Sequence, residues 1–172
     1  MKELILGGVR SGKSRLAEQH ARESGLDVLY VATAQVRDEE MQRRVAEHRV
    51  RRPGSWRSVE AGQNLAEVLQ REAQAGRCVL VDCLTLWLTQ LLCDADEAVL
   101  RSEVDALLEA LPVLPGHIIL VSNETNMGVV PMGELSRRFC DEAGRLHQQI
   151  AASCDRVILT VAGLPLVVKG NK

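Results

Sequence analysis

Residues Gly7-Gly8-Val9-Arg10-Ser11-Gly12-Lys13-Ser14 form an uninterrupted G-x-x-x-x-G-K-S segment. The chemistry this spacing serves is phosphate binding. Glycines let the backbone wrap closely around an anion, and successive N–H groups at the head of a helix face the phosphates. The lysine reaches the outer phosphates, and the hydroxyl after it can ligate Mg²⁺. A glycine turn without a ligand is the bland alternative. The flanks favour the phosphate reading, because the apolar run Leu4-Ile5-Leu6 precedes the loop and Leu16, Ala17, His20 and Ala21 follow it at helical spacing.

Further candidates lie elsewhere in the chain. Asp82 closes the apolar run Val79-Leu80-Val81, where the second carboxylate of a P-loop enzyme holds Mg²⁺ directly or through water; an Asp there could equally cap the next helix. Asn123 and Glu124 follow the run 117–121, at the strand end that borders the ligand crevice of an open α/β sheet. Gly128 and Pro131 shape the loop beyond, which could be a binding loop or a plain connection.

His48 is harder to assign. The stretch 38–52 reads as a helix with Asp38 as its N-cap, acids in its first turn and arginines toward its end, a gradient that complements the helix dipole. Met41, Val45 and His48 share one face, which on spacing alone makes His48 a histidine at the margin of a core. If that face looked into the crevice instead, a neutral imidazole could attack an α-phosphate. Arg49, Arg51 and Arg52 could then bind triphosphate oxygens in paired fashion; their alternative is a solvated basic face.

The elements that must position these residues alternate. Apolar strands are predicted over 4–6, 27–33, 78–81, 117–121 and 157–161, with helices over 64–75, 84–93, 97–111 and 133–153 between them. This order predicts an α/β fold: an open, mainly parallel sheet covered on both faces, in the manner of a RecA-like P-loop NTPase. Val157–Val161, a tight connection through Pro165, and Leu166–Val168 predict a closing antiparallel hairpin, with Pro165 at a strand start or edge. The region 49–58 is the most irregular and the most basic.

Bulk properties set limits. The 172 residues fit one domain spanning 1–172, and aromatic residues at 2% leave the core to Leu, Val, Ile and Ala. A net charge of −2 carries no footprint for nonspecific nucleic-acid binding. Five cysteines, odd in number and without zinc-site spacing, predict reduced thiols and a cytoplasmic setting. No run approaches the ~18 apolar residues of a membrane span.

Taken together, the motifs resemble the bifunctional adenosylcobinamide kinase and adenosylcobinamide-phosphate guanylyltransferase family of cobalamin synthesis. Beside the loop, the resemblance rests on Tyr30-Val31-Ala32-Thr33-Ala34, Arg44-Val45-Ala46-Glu47-His48, Arg52-Pro53-Gly54-Ser55-Trp56 and Glu60. It continues through Val81-Asp82-Cys83-Leu84-Thr85, Asn123-Glu124, Gly128-Val129-Val130-Pro131 and the run 137–145. It implies two reactions. The terminal phosphate of ATP or GTP goes to the aminopropanol hydroxyl of adenosylcobinamide; GMP from GTP is then joined to that phosphate, releasing pyrophosphate. The resemblance also implies a GMP-histidine intermediate at His48, overturning the core reading, with Arg49, Val50, Arg51 and Arg52 beside it. Lys13 and Ser14 would hold phosphates and Mg²⁺, Asp82 would support the metal, and Ala32, Thr33, Ala34 and Glu60 would line the nucleotide site.

Two residues depart from the family pattern. Asp82 stands where Glu is frequent, a shorter reach that could make the metal contact water-mediated. His147 stands where Asn is usual and is expected to be structural. The resemblance further implies a homotrimer. A guanylyltransferase that lacks the kinase step is the alternative within enzymes. A P-loop regulatory switch is the alternative outside them, and the absence of an N-K-x-D guanine-reading motif counts against it.

Overall fold

Alternation of side chains along the apolar strands decides the architecture. In the computed structural model, which describes residues 1–34, 39, 43 and 53–171, seven strands form one sheet. They are β1 (Lys2–Gly7), β2 (Asp27–Ala32), β3 (Arg57–Glu60), β4 (Arg77–Asp82), β5 (His117–Asn123), β6 (Arg156–Val161) and β7 (Leu164–Lys169). The spatial order is β3-β2-β4-β5-β1-β6-β7, parallel except where β7 returns antiparallel beside β6. The predicted hairpin is therefore present. Pro165 lies on its outer edge strand, where a missing N–H costs no ladder bond.

Helices cover both faces, as the alternation requires. On one face Leu4, Leu29, Val79, Val81, Ile118 and Leu120 pack against α2 (Leu65–Glu72), α3 (Leu84–Asp94), α4 (Glu97–Ala110) and α5 (Glu134–Ser153). The neighbouring strand positions Ile5, Val28, Tyr30, Leu80, Ile119 and Val121 turn to the other face, against Ala17 and Ala21 of α1 (Lys13–Glu23). Strands buried on both faces read as unbroken apolar runs, which is why they were legible.

Three details differ from expectation. Arg57–Glu60 forms β3, a four-residue, mostly exposed edge strand whose Arg-Ser-Val-Glu sequence has no apolar run. Helix α2 stops at Glu72 rather than 75; Ala73 is extended and its N–H closes the helix on the Leu69 carbonyl. Helix α4 passes at Leu111 into a 3₁₀ turn that carries Pro112 near its start.

Both ends of β1 carry polar residues. At the start of the strand Glu3 is fully buried, its Oε1 2.9 Å from His20 Nδ1 of α1 and 3.5 Å from Arg156 Nε of β6. His117 Nε2 of β5 lies 3.6 Å from the other carboxylate oxygen. Burial raises the carboxyl pKa, but the imidazoles of His117 and His20 and the Arg156 charge together hold it at about 2. The opposite end of β1 opens into the phosphate-binding motif.

Candidate active site

The parallel strands end together, and their ends converge on the loop after β1. Gly7 is level with Asn123 of β5 on one side and Thr160 of β6 on the other; on the far side of β5, Asp82 is level with Val121, and Ala32 with Asp82 and Glu60. Gly7 must be glycine, because a Cβ would stand 2.4 Å from Ser11 Oγ and 2.7 Å from the Thr160 carbonyl oxygen. The chain then turns through Arg10 and Gly12, both at positive φ, and α1 begins at Lys13. Ser11 N–H donates to the Gly8 carbonyl (3.2 Å), Gly163 N–H of the β6–β7 turn donates to the Ser11 carbonyl (2.8 Å), and Glu124 N–H donates to the Gly7 carbonyl (3.0 Å). The loop is thus tied both to its own turn and to the connections after β5 and β6.

Within this frame, Lys13 Nζ donates to the Gly8 carbonyl at 3.2 Å, across the loop. Burial lowers the Lys13 pKa from its ordinary value, while the negative charge of the neighbouring Asp82 works in the opposite direction. Ser14 Oγ faces Asp82 Oδ1 at 3.4 Å, and Tyr30 OH donates to Asp82 Oδ2 at 3.2 Å. The Ser14 hydroxyl and the Asp82 carboxylate are hard oxygen donors beside a phosphate loop. That donor set suits Mg²⁺, which needs only one or two protein oxygens besides phosphates and water. Among the described residues there is no group of three or more His, Cys, Asp or Glu that could hold a metal ion, so a dedicated all-protein cage is absent there.

The second strand end is built around Thr33. Its Oγ1 donates to the Cys83 carbonyl (2.7 Å) and accepts from Cys83 N–H (2.8 Å), and its own carbonyl accepts from Gln90 Nε2 of α3. Thr33 is buried, so it shapes the crevice wall by fastening the ends of β2 and β4. Cys83 is buried and its thiol is pushed up to about 11, which leaves it neutral at physiological pH. Glu60 is exposed at the end of β3, two strands away from Asp82. His48 and Arg49, Val50, Arg51 and Arg52 lie outside the described residues.

The loop sequence, Lys13, Ser14, Asp82, Ala32, Thr33, Asn123 and Glu124 are therefore gathered at one edge of the sheet. Tyr30, Gly163 and the Thr85–Ser122 pair belong to the same edge, and sequence reasoning assigned them no role there. A strand tyrosine two residues before a strand end is a weak signal. The others depend on which strands become neighbours.

A sequence model of the family "Cobinamide kinase / cobinamide phosphate guanyltransferase" matches residues 3–168. The chain belongs to this family. Its relatives share the whole length: the bifunctional adenosylcobalamin biosynthesis protein CobP of Pseudomonas aeruginosa is 65% identical over 171 residues, covering 99% of each chain. The CobU protein of Escherichia coli is 40% identical over 182 residues, covering 98% of this chain and 100% of that one. Accordingly the activities are those of a cobinamide kinase and cobinamide phosphate guanylyltransferase in cobalamin biosynthesis. Solved structures extend the likeness at the level of fold. The flagellar accessory protein FlaH from Methanocaldococcus jannaschii has a TM-score of 0.51 at 17% identity, over 99% of this chain and 78% of that one. The RadB recombinase has a TM-score of 0.52 at 16% identity, over 92% and 73%. The fold is that of the P-loop NTPases. No helix among the described residues is long and apolar enough to cross a membrane.

Proposed function

We propose that residues 1–172 act as one domain in which a single phosphate cradle serves two successive transfers. In the first, the aminopropanol hydroxyl oxygen of adenosylcobinamide attacks the terminal phosphorus of ATP or GTP, the nucleoside diphosphate leaves, and the hydroxyl proton is released. In the second, a neutral His48 nitrogen attacks the α-phosphorus of GTP and pyrophosphate leaves. The phosphate oxygen of adenosylcobinamide phosphate then attacks the GMP-histidine, giving adenosylcobinamide-GDP and freeing the imidazole.

The observation that carries this reading is the convergence of Lys13, Ser14 and Asp82 on a loop held open by Gly7 and Gly12. The loop residues Gly8, Val9, Arg10 and Ser11 would wrap the phosphates, and Lys13 would meet the charge that builds on the transferred group. Mg²⁺ held by Ser14 and Asp82 would supply neutralisation of phosphate oxygens and alignment of the triphosphate. Ala32, Thr33, Ala34 and Glu60 would line the nucleotide side of the crevice, and Arg49 to Arg52 would meet the α-phosphate as His48 attacks it.

The functional unit is proposed to be a cytoplasmic homotrimer. Supporting this are exposed apolar side chains on β7, Leu164 and Leu166, and on the loop after β5, Val129 and Met132, which a subunit contact would cover. Supporting the compartment are the five cysteines, all free. Light scattering on the purified protein tests the assembly; a monomer at micromolar concentration refutes it.

The histidine step is tested with GTP labelled at the α-phosphate. The reading predicts label on the protein that survives base, is lost in acid, and is absent in His48→Ala. Label that persists in His48→Ala overturns the role of that residue.

A further inference from the structure

The mechanism uses neither His147 nor Ser122, yet both are buried polar side chains directly behind the phosphate-binding end of the sheet. His147 on α5 places Nε2 2.8 Å from Ser122 Oγ on β5. Ser122 Oγ is 3.3 Å from Thr85 Oγ1 on α3, and Thr85 Oγ1 accepts the N–H of Asn123 at 2.8 Å. The three links therefore tie two helices to the last residues of β5. Asn123 is level with Gly7 in the sheet, and the next N–H, that of Glu124, donates to the Gly7 carbonyl at 3.0 Å. What fixes the end of β5 also fixes the first glycine of the phosphate loop.

The chain has one end of known polarity. A backbone N–H can only donate, so Thr85 Oγ1 is an acceptor from Asn123, and Ser122 Oγ lies within reach of its own proton. If Thr85 gives that proton to Ser122, Ser122 gives its own to His147 Nε2, the atom at 2.8 Å. We propose that His147 is a positioning residue for the phosphate loop: as a neutral imidazole protonated on Nδ1, it is the terminal acceptor that orders Asn123 N–H to Thr85 to Ser122 to His147.

A directed chain of this kind holds the strand end in one geometry, because each hydroxyl has a single favourable orientation. Burial acts in the same sense, lowering the His147 pKa and favouring the neutral ring. His147 Nδ1 has no hydrogen-bond partner among the described residues, so the contact between Nε2 and Ser122 Oγ is the one that sets the tautomer there. Asn126 Nδ2 donates to the Cys140 carbonyl of α5 at 3.0 Å, a second tie between that helix and the loop after β5.

The inference rests on the reading of residues 7–14 as the nucleotide site, and the test separates the two. Binding of a non-hydrolysable GTP analogue with Mg²⁺ is measured by calorimetry for the wild type, His147→Leu, Ser122→Ala, the double variant and His147→Gln. Side-chain ¹⁵N resonances of the wild-type histidines are recorded in parallel. The proposal expects His147→Leu and Ser122→Ala each to weaken binding by about tenfold, and the double variant by about tenfold rather than about a hundredfold, because both break one chain. The amide oxygen of His147→Gln can accept from Ser122, so that variant should stay within about threefold of wild type. The ¹⁵N spectrum should show His147 protonated on Nδ1.

Protonation on Nε2, additive losses, or unchanged binding in a folded His147→Leu would each overturn it. If His147→Leu does not fold, Ser122→Ala and His147→Gln carry the binding comparison. A wild type that binds no analogue would refute the nucleotide reading and the positioning role with it, while a spectrum with Nδ1 protonated would still uphold the direction of the hydrogen-bond chain.

Discussion

Glu3 is the residue whose removal the structure allows to be worked through most fully. It is a carboxylate with no solvent exposure, its charge met by His20 at 2.9 Å, Arg156 at 3.5 Å and His117 at 3.6 Å. Its pKa falls from an ordinary 4.5 to about 2. At about 1.4 kcal/mol per pH unit, a shift of that size corresponds to ~3 kcal/mol of folding stability. The folded value lies below the unfolded one, so this contribution is fully present above pH ~4.5 and is lost as pH falls through ~2. Glu3→Gln keeps the shape and removes the charge. In urea unfolding followed by circular dichroism at pH 7, the variant should be less stable by ~3 kcal/mol, which for a chain of this length is a melting shift of about 6–12 °C. The gap should narrow steadily between pH 4.5 and 2, because the wild type then loses what the variant never had. A gap that is absent at pH 7, or that does not change with pH, would refute the assignment of that stability to the Glu3 charge.

Other predictions follow from packing and from the loop. Gly7→Ala forces a Cβ to within 2.7 Å of the Thr160 carbonyl oxygen, so it should cost ~1–3 kcal/mol in urea unfolding and weaken GTP binding. A Cβ on Gly8 meets nothing within 4 Å, so Gly8→Ala should leave stability within ~0.5 kcal/mol of wild type; if both alanines behave alike in unfolding, the close approach at Gly7 is wrong. Trp87 is fully buried with Nε1 donating to the Gln63 carbonyl at 2.7 Å; Trp87→Ala should cost ~3–5 kcal/mol by the same assay. Trp87→Phe should recover much of that loss: the Gln63 carbonyl loses the indole donor but keeps the Leu65 N–H at 3.0 Å, so the remaining cost should be about 1 kcal/mol.

Legibility in the sequence followed burial. Strands β1, β2, β4, β5 and β6 announce themselves because both of their faces are covered, so almost every residue from Val28 to Val31 or from Ile118 to Val121 is apolar. Strand β3 was invisible for the converse reason, since an exposed edge strand imposes no such pattern on Arg57–Glu60. The phosphate loop was legible because its chemistry is local in sequence. Asp82 was legible because it interrupts an apolar run at its end. The chain from Asn123 through Thr85 and Ser122 to His147 was not, because it is created when α3 and α5 approach β5, a placement no local spacing encodes. The same holds for Glu3, whose three partners come from α1, β5 and β6. His147, expected to be structural, lies on a direct path to the phosphate loop. Its sequence neighbourhood in α5 gave no sign of that.

The claim that one cradle serves both transfers is tested most directly by following both products in one reaction. Purified protein is incubated with adenosylcobinamide, ATP, GTP and Mg²⁺, and the corrinoids are resolved by mass spectrometry for the wild type and Lys13→Ala. The account predicts adenosylcobinamide phosphate followed by adenosylcobinamide-GDP from the wild type. It predicts loss of both in Lys13→Ala, including loss of the second product when adenosylcobinamide phosphate is supplied as substrate. Unimpaired formation of adenosylcobinamide-GDP by Lys13→Ala from the supplied phosphate would contradict it.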